Sequence, residues 1–340
     1  MIDKLYQEVI SFDNVNKAYH AVSLGRSSEI DYLRFDLDKE EIITGIIKDL
    51  KEYTYTPSPT VLKIIHEPKT REISIPAYRD RVVHNALVQV TLPYFADYFH
   101  RSTFACLTGR GPLVAAKYYQ SCIRSALGRW GEEFCIVSLD FRKYFASIDR
   151  EVLKTSLRRI FSPTYNRDIL WLFSVIIDGY ERSGLPLGFL TSQQEANLVA
   201  TPLDYYVTDT LGYPLYLRYM DDERVLVHTR AEAKELLYKL DSFCWEKLHL
   251  ALSPEKTLVR PWRGADTMCG YIIHPHYLER KPSTIKRGVR RIQKKERDYL
   301  RGEITLSELR DSALALNALY KDTCETSHPE ADRVLRAYPR

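Results

Sequence analysis

The sequence predicts an α+β protein in which strands and helices are intermixed, and three observations predict it. FCIVSLD is a continuous apolar run closed by Asp140, the pattern of a strand buried on both faces. In LYLRYMDDERVLVHT, two runs of β-formers flank Asp221 and Asp222, which reads as a hairpin whose turn presents both carboxylates. Around these strands lie long amphipathic stretches such as AEAKELLYKLDSFCWEKL, with apolar residues at helical spacing.

Taken in order, residues 1–56 read as helices, DKLYQEVISF and EEIITGIIKDLKEY, ended by Pro57 and Pro59. VLKIIHEP and REISIP follow as strands joined through Pro68, Lys69 and Thr70, a hairpin with basic residues at its tip. RVVHNALVQVTLPYFADYF is helical, and the turn-rich segment from Thr108 to Pro112 leads into a further helix, LVAAKYYQSCIRSAL. Residues 150–182 look helical, 183–191 form a Gly/Pro loop, and SQQEANLVATPLDYYVTDTL continues as helix. MCGYIIHP is a short strand, and the rest is helical and basic. No repeat, low-complexity tract or long linker separates independent domains. The expected divisions are 1–56, 57–134, 135–275 with helices inserted around 150–183, and 276–340.

With 45% apolar and 28% charged residues the composition is that of a soluble globular chain. The net charge of +4 does not by itself mark a nucleic-acid binder, so the location of the charge matters more than its sum. Tyrosine is abundant at 24 residues, which suits base stacking and ordinary half-buried sheets alike. The six cysteines form no C-x-x-C pair, so reduced thiols in a cytoplasmic protein are expected. The N-terminus has charges where a signal peptide needs apolar residues. The longest apolar run, Trp171 to Ile177, falls short of the roughly 20 residues that span a bilayer, so no membrane partner is expected.

Asp140 ends a buried strand, and Asp221 and Asp222 sit at a hairpin tip. If the two elements are neighbours in one antiparallel sheet, three carboxylates meet at one edge and raise one another's pKa. A pair of divalent cations removes that penalty, and hard oxygen ligands suit Mg²⁺. An Asp pair in a turn is also ordinary turn chemistry, and only its neighbours separate the readings.

Those neighbours carry a resemblance. Tyr219-Met220-Asp221-Asp222 matches the Y-x-D-D box of reverse transcriptases. The segment from Ser138 to Asp149 resembles their first catalytic motif, and Gly184-Leu185-Pro186-Leu187-Gly188 through Gln193 resembles their G-[LI]-P-x-G motif. Leu252 to Thr257 and Cys269-Gly270-Tyr271 look like the later palm motif and the primer grip. Lys69-x-Arg71-x-Ile73 and Arg79 to His84 resemble the two fingers motifs. The match runs from about 57 to 300, most of the chain.

The resemblance implies a right-hand polymerase fold: fingers over 57–134, a palm with an antiparallel sheet over 135–275, a thumb over 276–340, and a helical extension over 1–56. It implies an RNA-directed DNA polymerase with two Mg²⁺ ions, Mn²⁺ being a substitute. Such a pair activates a 3′-hydroxyl and neutralises departing pyrophosphate. Asp140, Asp221 and Asp222 would be the metal ligands and Lys256 the general acid, against a purely structural lysine. Lys69 and Arg71 would bind the triphosphate, Phe145 would be the steric gate favouring dNTPs, and Phe141, Leu187, Gly188 and Gln193 would complete the nucleotide site. Gly188 would let the backbone approach the templating pair. Tyr219, Gly270 and Tyr271 would contact nucleic acid. The implied partners are an RNA template, a DNA or RNA primer and dNTPs, with room for an accessory protein or a homo-oligomer.

Arg280 to Arg301 gathers ten basic residues against Glu296 and Asp298. Lys286, Arg290, Lys294 and Arg297 share one helical face and Ile285, Val289, Ile292 and Tyr299 another. One side can pack on the palm while the other tracks a phosphate backbone. Leu187 stands where many reverse transcriptases carry Gln, as in enzymes of diversity-generating retroelements and some antiphage-defence enzymes, and implies lower fidelity. Leu190 to Gln193 with Ala196 and Asn197 also resemble the retroelement enzymes, whereas Gln194 and Glu195 depart from their usual apolar pair. No nuclease or integrase extension fits this length. The reading favours bacterial antiphage defence with an associated non-coding RNA. The alternatives are a retroelement enzyme, a template-independent or protein-primed polymerase, and a non-catalytic RNA-binding scaffold.

Overall fold

The computed structural model describes residues 3–24, 30–66, 70–320, 323 and 327–339. The chain opens with helices α1 (Lys4–Val9), α2 (Phe12–Ser23), α3 (Ile30–Leu37) and α4 (Lys39–Lys51). Ser11 starts α2 by accepting a hydrogen bond from the Asn14 amide. The apolar face of α2 (Val15, Ala18, Tyr19, Val22) packs with Val82, Val83, Ala86 and Leu87 of α5 (Tyr78–Tyr98). Helices α1, α2 and α4 therefore share the main core.

Strands β1 (Val61–Ile65) and β2 (Arg71–Ile75) form the expected antiparallel hairpin, with Ile65 opposite Arg71. After α6 (Pro112–Trp130) comes β3 (Cys135–Asp140), then α7 (Tyr144–Ser147), α8 (Arg150–Ile160), α9 (Arg167–Asp178) and α10 (Leu190–Tyr205), which runs into a π-helical turn at Tyr206–Thr210. The helical stretch expected over 150–182 breaks between α8 and α9, where Pro163 cannot supply an amide. Next are β4 (Tyr216–Tyr219), β5 (Asp222–Val227), α11 (Arg230–Leu248) and β6 (Leu258–Pro261).

β4, β5, β3 and β6 form one antiparallel sheet in that order. Its two faces explain why FCIVSLD has no polar alternation. Cys135, Val137 and Leu139 join the core made with α10 and α11, while Phe134 and Ile136 join a second core with Ala115, Tyr119 and Ile123 of α6. Burying each large apolar side chain contributes roughly 1.5–3 kcal/mol, so both faces favour this register.

A second sheet contains β7 (Asp266–Met268), β8 (Tyr271–Ile273) and β9 (Leu278–Arg280). The single strand expected in MCGYIIHP is instead the β7–β8 hairpin. Its turn residues Cys269 and Gly270 have φ of 52° and 82°, the double positive that a two-residue type I′ turn requires. The expected boundary at 275/276 falls inside this sheet.

The helical unit starts at α12 (Pro282–Leu300) and continues with α13 (Leu306–Ala318) and α14 (Pro329–Ala337). Ile285, Val289, Ile292 and Tyr299 pack with Leu309, Leu316 and Val334 in a core of their own. This corrects the expectation that the apolar face of α12 packs on the palm: the two following helices supply nearer apolar surface. Among the described residues no helix is long and apolar enough to cross a membrane.

Candidate active site

The last residue of β3, Asp140, lies in register with Asp222, the first residue of β5. Tyr219 pairs with Asp222 to close the β4–β5 hairpin, so the turn is Met220-Asp221, one residue earlier than the sequence suggested. The shift follows from Met220, which takes the left-handed φ of 60° and spares the aspartates. A non-glycine residue there stores roughly 1–2 kcal/mol of local strain.

The site sets acids against bases. Lys256 Nζ lies 2.5 Å from Oδ1 of Asp140. Arg224 forks onto Asp222 through Nη1 while its Nε, 3.2 Å away, donates to Asp266. Asp266 is itself buried and also accepts from Arg260 Nη2 at 2.8 Å and Tyr119 OH at 2.9 Å. Burial raises the pKa of Asp221, and the charges of Asp140 and Asp222 raise it further. Asp222 is also pushed up, by burial first, with Arg224 opposing and Asp140 adding to the rise. The edge therefore concentrates negative charge that resists ionisation and favours a cation. Among the described residues, no group of three His, Cys, Asp or Glu side chains is close enough together to hold an ion. In this arrangement Lys256 and Arg224 take up carboxylate oxygens that a divalent ion would need.

The other expected residues divide. Phe145 is half-buried on α7, with its ring edge-on to Tyr144, and its carbonyl accepts from the Leu185 amide at 2.7 Å. Phe141 is 2% exposed and stacks on Tyr144 at 4.9 Å, which leaves only its backbone for a nucleotide. Arg71 begins β2 and is exposed; Lys69 lies outside the described residues. Leu187 is half-buried, and its carbonyl accepts from the Ser74 amide at 2.7 Å. The backbone that approaches Gly188 belongs to β2: a Cβ there would stand 2.4 Å from the Ser74 carbonyl oxygen. Gln193 is exposed in the first turn of α10.

Tyr219 is half-buried, and burial pushes its hydroxyl up to about 12. Gly270 sits in the β7–β8 turn near the cleft that Asp222, Lys256, Cys269 and Lys281 line. Tyr271 is 0% exposed, beneath the Arg280 guanidinium at 3.8 Å, so its ring supports that turn and cannot stack on a base. Lys286, Arg290, Lys294 and Arg297 are all exposed on α12.

Sequence reasoning missed Arg218, Arg224, Asp204 and Asp266. Arg218 is 0% exposed and donates to Asp204 at 2.6 and 2.7 Å, yet it stands in a run of β-formers. A charged residue inside an otherwise buried strand demands a partner, and that was the available signal.

Solved telomerase structures share this architecture. The structure of telomerase from Candida albicans in complex with a TWJ fragment of telomeric RNA aligns over 88% of this chain and 60% of that one, with TM-score 0.53 and 12% identity. Apo telomerase from Candida tropicalis aligns over 88% and 62%, with TM-score 0.57 and 13% identity. At such identities the likeness is one of fold, and the fold is the α+β right hand of polymerases. Residues 64–300 match the family described as Reverse transcriptase (RNA-dependent DNA polymerase), and the chain belongs to it. Protein YkfC of Escherichia coli (strain K12) is 24% identical over 204 residues, 57% of this chain and 49% of YkfC. The chain thus spans about half the length of that curated relative.

Proposed function

We propose that the chain is an RNA-directed DNA polymerase that adds dNTPs to a primer at the Asp140–Asp221–Asp222 edge. The observation that carries the reading is the register of Asp140 against Asp222, with Asp221 on the adjoining turn, inside a chain of this family. The donor chemistry suits hard divalent ions, which would have to displace Lys256 and Arg224 and draw the carboxylates closer together: the three aspartates share one sheet edge, Asp221 and Asp222 have raised pKa, and cationic side chains already gather there. Asp140 and Asp221 would hold two Mg²⁺ ions, with Asp222 completing the set and Mn²⁺ as substitute. When bound, such ions make a 3′-hydroxyl nucleophilic and stabilise charge on departing pyrophosphate.

The chain's own residues do the rest. Lys256 turns from Asp140 to the pyrophosphate oxygen and gives it a proton. Lys69 and Arg71 bind the triphosphate. Phe145 fills the space a ribose 2′-hydroxyl would need. Leu187, Gly188 and Gln193 flank the incoming nucleotide, Tyr219 and Gly270 hold the primer end, and the exposed face of α12 follows the duplex backbone. Leu187 offers no hydrogen bond to the base, which supports lower fidelity; misincorporation equal to that of Leu187→Gln would remove that part.

The test is primer extension on a defined RNA template with Mg²⁺, comparing wild type with Asp221→Asn. Extension that the substitution abolishes supports the reading. Wild-type protein that extends no primer–template sinks it, and biological activity kept in full by Asp221→Asn would favour a scaffold. We further infer a role in bacterial antiphage defence, copying an associated non-coding RNA. The departure at Gln194 and Glu195 from the apolar pair of retroelement enzymes supports it. Sequencing the nucleic acid that co-purifies tests this inference: a variable-repeat template would assign the chain to a retroelement.

A further inference from the structure

The catalytic hairpin is held from beneath by a guanidinium. Arg218 lies on β4, beside the turn it supports. Its Nε and Nη2 donate to the two oxygens of Asp204 on α10 at 2.7 and 2.6 Å. Nη2 also reaches Thr103 Oγ1 at 3.1 Å, and Nη1 donates to Asn197 Oδ1 at 2.9 Å. Nη1 further meets the carbonyl oxygen of Met220, the residue with positive φ at the hairpin tip, at 3.3 Å. Asp204 is held in turn by Tyr216 OH at 2.6 Å and Thr103 Oγ1 at 2.9 Å. The backbone of β4 is fixed on the same side, since Arg218 N donates to Ser102 O and Phe104 N donates to Arg218 O. Arg218, Asp204, Asn197 and Thr103 are each 0% exposed.

A buried ion pair is weak grounds for a stability role, because desolvation offsets most of the attraction. What it supplies here is geometry. A planar fork bound to both Asp204 oxygens has little rotational freedom, and its third arm ends on the carbonyl that fixes the turn. We propose that Arg218 is a positioning residue: anchored by Asp204, Asn197 and Thr103, it holds the Met220 carbonyl and thereby sets where Asp221 stands for the metal ions. It touches neither substrate nor ion. The inference rests on the reading of Asp221 as a metal ligand.

The test uses the full chain and Mn²⁺ alone, followed by electron paramagnetic resonance, with melting and primer extension measured alongside. Arg218→Lys keeps a charge opposite Asp204 but lacks the arm that reaches Met220. It should stay folded, bind Mn²⁺ roughly 10–100-fold more weakly and lose a similar factor in kcat, the range for residues that orient metal ligands. KM for dNTP should stay near the wild-type value. Thr103→Val removes two of the bonds around the fork, the one Thr103 Oγ1 accepts from Nη2 and the one it donates to Asp204, and leaves Arg218 itself in place, so a smaller drop of the same kind is expected even if the lysine variant fails to fold. Wild-type Mn²⁺ affinity in a folded Arg218→Lys, or in Thr103→Val, overturns the proposal and leaves a merely structural pair. Asp221→Asn separates the two layers. If it binds Mn²⁺ like wild type, the metal-site reading fails and the clamp with it; if it loses Mn²⁺ while Arg218→Lys does not, only the clamp fails.

Discussion

Lys256 Nζ stands 2.5 Å from Asp140 Oδ1, so a lysine on the turn before β6 closes onto the end of β3. A cation in that position competes with a metal ion for the same oxygen. Lys256→Met should therefore bind Mn²⁺ at least as tightly as wild type. Nucleotide addition should nevertheless slow by about 10²–10⁴-fold if the lysine also protonates pyrophosphate. Calorimetry and single-turnover extension separate the two effects. Weaker Mn²⁺ binding would show that Lys256 supports the ion instead of competing with it.

Burial and the charges of Asp140 and Asp222 raise the pKa of Asp221, so its ionised carboxylate costs the folded state stability that a bound cation would return. Asp221→Asn keeps the shape and removes the charge, so the metal-free variant should melt above wild type while extension is lost. Adding Mg²⁺ should raise the wild-type melting temperature and leave the variant unchanged. A variant that melts lower than wild type without metal would contradict this account of the site.

Glu195 on α10 is 1% exposed, and among the described residues its Oε1 has no hydrogen-bond partner. Burial pushes its carboxyl up to about 8, against a smaller pull from Arg150. The sign follows: the folded state holds a proton that the unfolded chain releases near pH 4.5, so this group's favourable contribution is complete below that pH and is lost as pH rises to about 8. Each pH unit in that interval changes stability by about 1.4 kcal/mol for a single proton. Glu195→Gln should be flat across the interval and gain on wild type as the pH rises. Denaturant titrations at several pH values check it, and parallel curves for the two proteins would refute it.

Much of this architecture was legible because burial writes itself into patterning. FCIVSLD carries apolar residues on both faces because α6 covers one face of β3 while α10 and α11 cover the other. The face of α12 bearing Ile285, Val289 and Ile292 is equally visible. The exact pairing at the hairpin was not: whether Asp221 or Asp222 faces Asp140 turns on the φ of Met220, which no propensity assigns to methionine. Arg218 and Arg224 are harder to place from sequence, because a charge within a strand run fits an exposed face as well as a buried pair. Their partners, Asp204 and Asp266, come from distant elements that only the fold brings near. The burial of the Tyr271 ring was hidden for the opposite reason, since a primer-grip position and a core position look alike until β9 lays Arg280 over the ring.

The exposed face of α12 gives a prediction about salt. Among the described residues, Lys286, Arg290, Lys294 and Arg297 form no ion pairs with carboxylates, so their charge is available to phosphates. Changing all of them to Gln should flatten the plot of log binding constant against log salt by about 0.7–0.9 per lost contact. Binding to a primer–template duplex, measured by anisotropy across a salt series, reads this directly. An unchanged slope would mean that α12 does not follow the backbone.

Gly188 joins the loop after α9 to the β1–β2 hairpin. Its φ is +116°, and a Cβ would meet the Ser74 carbonyl oxygen at 2.4 Å and Ile73 Cγ2 at 2.7 Å. The carbonyl cannot swing aside, because the neighbouring Ser74 amide is committed to Leu187 O at 2.7 Å. Gly188→Ala must therefore part the loop from β2, the strand that begins with Arg71, at a strain of roughly 1–3 kcal/mol. If Arg71 binds triphosphate, the displaced hairpin should raise KM for dNTP more than it lowers kcat, since saturating nucleotide draws the hairpin back. Gly128→Ala is the control: it sits within α6 with nothing among the described residues within 4 Å of the added carbon, and should leave both constants alone. A Gly188→Ala enzyme with wild-type KM would show that the contact between Ser74 and the loop has no bearing on nucleotide binding.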